Sequence, residues 1–361
     1  MMMRTALTAI PYEGPGACAP GSVAVLVLSW RSLGALVGGV LLLTAGWAPA
    51  ADPWADEVVG HSPELNGSDL YNDPQSALGV PATMYYAGLP YDYDLAVSLV
   101  APAFNVAPDG HKLITTIPDG QFVKVKFDEP VEDHPRNPYG IDLLVFGNSM
   151  FRTTGGWVTP DTNMETYYLG DGSVVDQPVI IAVSTSGLET PDDNPDGWYV
   201  YADGPYGDGW FPTQAYEWDW QGDKWGDPKD YTTPVDPTLG VADFAPLSAA
   251  EAIDLYEWSG GGAGIDLAES GFAAIQFVYL TSKYESDPGE IDALSDVFPL
   301  LGDFDRDGDL DLYDYGQFQV CLPSPVPEGR PRECFSADFD GDRDVDLVDF
   351  ARFQSFFAGS D

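Results

Sequence analysis

Two groups of aspartates near the end of the chain have the types and spacing to bind metal ions. Asp303, Asp305, Asp307, Asp311 and Asp314 stand at positions 1, 3, 5, 9 and 12 of one twelve-residue segment. Asp338, Asp340, Asp342, Asp346 and Asp349 occupy the same positions of a second. A hard divalent cation takes roughly six to eight oxygens at about 2.3–2.6 Å, so alternate side chains must converge while the backbone turns around the ion. The seventh residue, Asp309 or Asp344, would offer its backbone carbonyl rather than its carboxylate. The eighth is apolar in both segments (Leu310, Val345) and suited to pairing one loop with the other. A single acidic run could be a solvated tail. Two in matching register read as a pair of calcium loops.

The elements that must position these loops follow them directly. Asp311–Val320 and Asp346–Phe357 read as short amphipathic helices, with apolar residues at three- and four-residue spacing and Asp311 or Asp346 at the N-cap. No helix enters either loop: the chain arrives through Pro299-Leu300-Leu301-Gly302 and Cys334-Phe335-Ser336-Ala337. A duplicated EF-hand-like loop with only the following helix resembles the dockerin type I domain, over about residues 301–361. The resemblance implies a small C-terminal α-helical domain (299–361) with paired calcium loops and two Ca2+ ions. It also implies an extracellular tether that docks onto a cohesin-like protein, often on polysaccharide-degrading proteins. Two departures qualify it. Arg343 stands at the sixth position of the second loop, where the first has Gly308. A turn with positive φ disfavours a side chain there, so the second site is expected to bind more weakly. Where cellulosomal dockerins typically carry Ser/Thr-type recognition residues, this chain has Leu312-Tyr313 and Leu347-Val348. The calcium chemistry carries over to these residues; the identity of the partner does not.

The 361 residues carry 58 acidic against 15 basic side chains, a formal net charge of -43. That field repels nucleic-acid phosphates and anionic membranes, which excludes those partner classes. Arg31 precedes an apolar run from Leu33 to Ala45, followed by Ala48-Pro49-Ala50, a small-x-small cleavage site. Residues 1–50 therefore read as a leader, and the mature chain as secreted or cell-surface, without a transmembrane segment. Cys18 leaves with the leader. Cys321 and Cys334 then bracket a proline-rich linker and are expected to form a disulfide. Closing a loop of that length contributes about 3 kcal/mol in the chain-entropy account.

Residues 51–298 are punctuated by Gly, Pro, Asn and Asp with short apolar runs between. Gln121–Phe127 alternates, with Val123, Val125 and Phe127 on one face and Lys124 and Lys126 on the other. Further strands are expected at Ile141–Phe146, Pro178–Ser184, Trp198–Tyr201, Ala273–Thr281 and Glu290–Val297. One helical insert is expected at Leu247–Glu257, capped by Ser248. This pattern predicts a mainly β domain, an antiparallel β-sandwich or jelly roll. Tyr71–Gly79, Val183–Gly187 leading to Trp198–Tyr201, Ala273–Thr281 and Gly289–Leu294 resemble segments of discoidin-like or galactose-binding-like jelly rolls. That resemblance implies a fold first; its members bind glycans or lipids, or serve as adhesive modules.

Catalytic signals are few. His61, His111 and His134 lie in turn-rich stretches without metal-ligand spacing, and no Gly-x-Ser-x-Gly elbow or phosphate loop is present. Paired carboxylates for glycoside hydrolysis would be invisible among so many acids. The aromatic residues between Trp198 and Trp225 crowd one Gly/Asp-rich insertion, and Trp210, Tyr216, Trp218, Trp220 and Trp225 are the candidate glycan-stacking faces. The competing reading is that these rings pack the long loop against the sandwich. A calcium site on the sandwich using Asp142 or Asp292 has no motif behind it. The sequence thus reads as a secreted or surface, non-catalytic protein with a calcium-dependent attachment module and a β-sandwich that is a candidate for binding polysaccharide. A dockerin-bearing polysaccharide hydrolase and a purely structural envelope protein remain as alternatives.

Overall fold

The computed structural model describes residues 53–104, 106–135, 137–284, 287–297, 312–322, 337 and 345–357. The leader, residues 303–311 and 338–344 of the acidic loops, Cys334 and most of the proline-rich linker lie outside the described residues. The strands are β1 (Glu57–His61), β2 (Met84–Tyr86), β3 (Asp94–Ala96), β4 (Thr115–Ile117), β5 (Phe122–Glu132), β6 (Leu143–Phe146), β7 (Met150–Thr153) and β8 (Leu169–Val175). They continue as β9 (Val179–Ser184), β10 (Tyr199–Val200), β11 (Tyr216–Asp219), β12 (Lys224–Pro228), β13 (Ala263–Ile265), β14 (Ala274–Ser282), β15 (Gly289–Ile291) and β16 (Ala293–Asp296). The helices are α1 (Val241–Phe244), α2 (Ala249–Leu255), α3 (Leu312–Cys321) and α4 (Leu347–Phe357). The protein is mainly β, and its sheets are antiparallel.

A five-stranded sheet in the order β1-β5-β14-β9-β10 faces one core with a three-stranded sheet, β13-β6-β16. The alternation of β5 decides its orientation: Val123, Val125, Phe127 and Val131 are buried, with the two lysines between them turned away from the core. Leu143-Leu144-Val145-Phe146 of β6 is buried at every residue. Leu143 and Val145 enter the core shared with the large sheet, and Leu144 and Phe146 enter a second cluster with Tyr231 and Val297. A continuous apolar run is what a strand covered on both faces requires.

Two expectations change in detail. The stretch Glu290–Val297 is two strands, because Asp292 separates β15, paired with β4, from β16, paired with β6. Its carboxylate turns inward to accept from Ala82 N at 2.8 Å. The expected single helix is joined by a second short one, α1, ahead of it. Helix α2 starts as the sequence predicts: Ser248 Oγ accepts from Glu251 N at 3.2 Å, and Glu251 Oε2 accepts from Ser248 N at 2.8 Å.

Candidate functional site

Helices α3 and α4 begin at the ends of the two acidic loops and stand in matching register, thirty-five residues apart. Phe318 and Phe353 occupy the same place in the two repeats and stack on each other, with centroids 5.0 Å apart and planes at 12°. Tyr315 and Phe350, also equivalent, meet at 6.1 Å. Cys321, Ala337 and Val345 complete this small buried cluster. Contact between equivalent residues is the signature of a two-fold pair, so each repeat supplies half of one core.

The last carboxylate of each loop is carried on the first turn of its helix. Asp314 and Asp349 are both fully buried. In α4 the cap is reciprocal: Asp346 Oδ1 accepts from Val348 N at 2.6 Å, and Asp349 Oδ2 accepts from Asp346 N at 2.7 Å. This holds the ninth- and twelfth-position carboxylates of the second loop in fixed relation. An all-oxygen donor set with a buried acid at a helix start suits a hard cation. On the outside of the pair, Leu312, Tyr313, Leu347 and Val348 are 77%, 70%, 75% and 49% exposed. These are the tenth and eleventh positions of both loops, and large apolar side chains at such exposure have no role in the helix pair's own core.

The aromatic insertion is folded inward. Trp218 is buried, and Trp210, Tyr216 and Trp225 are partly buried against the same core. Trp218 and Trp225 meet edge to face at 5.4 Å across the β11–β12 hairpin. Trp218 Nε1 also donates to Glu165 Oε1 at 3.1 Å. Trp220 stays exposed and donates to Asp254. Trp210 and Phe211 line an apolar cavity of about 360 Å³ with Ile141, Pro234, Val235 and Leu239 among its walls. The five candidate stacking residues therefore do not share one surface: two are packed edge to face in the hairpin, one lines a cavity, and one is open to solvent.

Several carboxylates are buried in the β-domain. Burial pushes Asp292 up to about 8. Burial, with Glu290 nearby, raises Asp208, and burial, with Asp142 nearby, raises Asp296. Asp208 sits at φ 54° with its two oxygens taken by Ser149 N and Gln177 N, an anchor for the loops that meet there. Sequence reasoning did not single it out, because its partners are 59 and 31 residues away. The expected cation candidates separate. Asp292 stands apart from other acids of metal-ligand spacing, whereas Asp142 groups with Asp133 and Asp266, one ligand oxygen from each lying within 4.8 Å of the others. The histidines do not converge: His61 and His111 are exposed and bond to Ser62 O and Asp109, their sequence neighbours. No family model matches the chain, and no curated protein matches it.

Proposed function

We propose that this is a secreted or cell-surface, non-catalytic protein in which residues 299–361 form a calcium-dependent attachment module of dockerin type. Residues 51–298 form the discoidin-like jelly roll that it tethers. The observation that carries this reading is the pairing of equivalent residues, Phe318 with Phe353 and Tyr315 with Phe350, directly behind two acidic loops of identical spacing. Asp303, Asp305, Asp307, Asp311 and Asp314 would hold one Ca2+, with the Asp309 carbonyl. Asp338, Asp340, Asp342, Asp346 and Asp349 would hold the other, with the Asp344 carbonyl. The ions supply charge neutralisation and a fixed loop path; the helices supply the docking face.

Leu312, Tyr313, Leu347 and Val348 give that face an apolar character, which favours a cohesin-like protein partner with an apolar patch over a hydroxyl-rich one. A Cys321–Cys334 disulfide would close the linker between the repeats. For polysaccharide, the exposed ring of Trp220 is the best-placed of the stacking candidates. Titration calorimetry of the exported chain and of an Asp314→Asn/Asp349→Asn variant tests the module. The expected result is two fewer calcium ions bound by the variant. Equal binding by both proteins would overturn the reading.

A further inference from the structure

We infer that the β-domain has a calcium site of its own, formed by the carboxylates of Asp133, Asp142 and Asp266 and the side-chain oxygen of Asn137, which clamps strand ends from its two sheets. Asp133 directly follows β5 of the five-stranded sheet, while Asp142 directly precedes β6 and Asp266 directly follows β13 of the three-stranded sheet. The backbone holds this junction firmly: Asp142 N donates to Ile265 O at 2.8 Å, and Val297 N donates to Asp142 O at 2.9 Å. Asp142 is fully buried, and its side chain accepts from His134 N at 3.1 Å and Leu267 N at 2.8 Å.

Two ligands on opposite sides of one calcium ion lie at most about 5 Å apart. The three carboxylates, mutually within 4.8 Å, meet that condition. Among the described residues none of them has a Lys or Arg partner, and the Asp133 carboxylate accepts no hydrogen bond.

The second observation is Asn137. It is 5% exposed, its Nδ2 donates to Asp142 Oδ1 at 2.7 Å, and its Oδ1 has no hydrogen-bond partner. A buried amide oxygen without a partner is costly. Half a turn of the amide exchanges its two ends and directs the oxygen at the acidic group. Without a cation that orientation sets oxygen against oxygen; with one it adds a fourth ligand. The donor set is oxygen alone, with neither thiolate nor imidazole. Asp133 opens to solvent, leaving room for water in the remaining positions. Variable ligand number of this kind suits calcium better than the stricter octahedron of magnesium.

This site is independent of the C-terminal loops, and the test separates them. Every tryptophan beyond the leader lies between Trp54 and Trp258, so tryptophan-detected melting reads the β-domain alone. The exported full chain and an Asp133→Asn/Asp266→Asn variant would be compared for calcium bound at equilibrium dialysis, and for melting with calcium or chelator. We expect the wild type to hold one ion more than the variant, and only the wild type to melt higher in calcium. The same ion count, or the same calcium response in both, would overturn the site. Should the double variant fail to fold, Asp133→Asn alone removes an exposed carboxylate that accepts no hydrogen bond among the described residues. Its tryptophan-detected calcium midpoint should rise at least about tenfold, as for lost metal-site partners generally. An unchanged midpoint would equally overturn it.

Discussion

At Asp292 the chain keeps an uncharged acid inside the β-domain: burial pushes the carboxyl up to about 8, and Ala82 N donates to it. In the unfolded chain the same group titrates near 4, so between about pH 4 and pH 8 the folded state holds a proton that the unfolded state releases. The stability this supplies is complete at low pH and is lost as pH rises through the folded value, at about 1.4 kcal/mol per pH unit. Buried Asp208 and Asp296, both raised, act in the same direction. Denaturant unfolding at pH 5.5 and 7.5 (about two units apart inside that window) should show wild type losing more stability than Asp292→Asn. An equal loss in both would mean Asp292 is ionised inside the fold. The sequence singles out Asp142 and Asp292 alike. What separates them is the β6–β13 pairing, which brings Asp266 to Asp142 from 124 residues away. No local pattern encodes that distance.

At the scale of elements, alternation and capping were legible. Strand β5 follows from its two-residue period, β9 and β14 from their apolar runs, and α2 from Ser248 and Glu251. The three-residue strands β2, β3 and β4 were not, because so few residues carry no period and the strands exist through their partners. The boundary of β15 and β16 was hidden for another reason: Asp292 interrupts the apolar pattern only by pointing inward. The helix pair offers a prediction of its own. If Phe318 and Phe353 are two halves of one stack, Phe318→Leu and Phe353→Leu should each destabilise the module by about 1 kcal/mol, and by similar amounts. The double change should fall short of their sum by about 0.5–1.5 kcal/mol. Helix unfolding followed by far-ultraviolet circular dichroism in calcium measures this. Strict additivity would mean that the rings do not act as a pair.

For the whole molecule, a formal charge of -43 makes cations part of the structural problem. Acids that converge in pairs of loops repel one another, and a module whose core is a few aromatic rings has little hydrophobic stability to set against that repulsion. Calcium offsets the repulsion and should therefore be linked to folding of α3 and α4. Each repeat's half of the core depends on the other, so the two helices should order together. The fold of the β-domain rests on its own larger cores and should persist without calcium, with the clamp at Asp142 adjusting its stability. The paired loops were legible because spacing alone carries their chemistry. The fate of the tryptophans was not, since an aromatic run serves equally to stack on a sugar or to fill a core. The central claim is tested most directly by hydrogen exchange of the exported full chain, with peptides covering Leu312–Cys321 and Leu347–Phe357, in calcium and in chelator. We predict protection of both helices in calcium and its joint loss in chelator, while the strands β5, β9 and β14 stay protected. Equal protection of α3 and α4 in both conditions would contradict a calcium-dependent module.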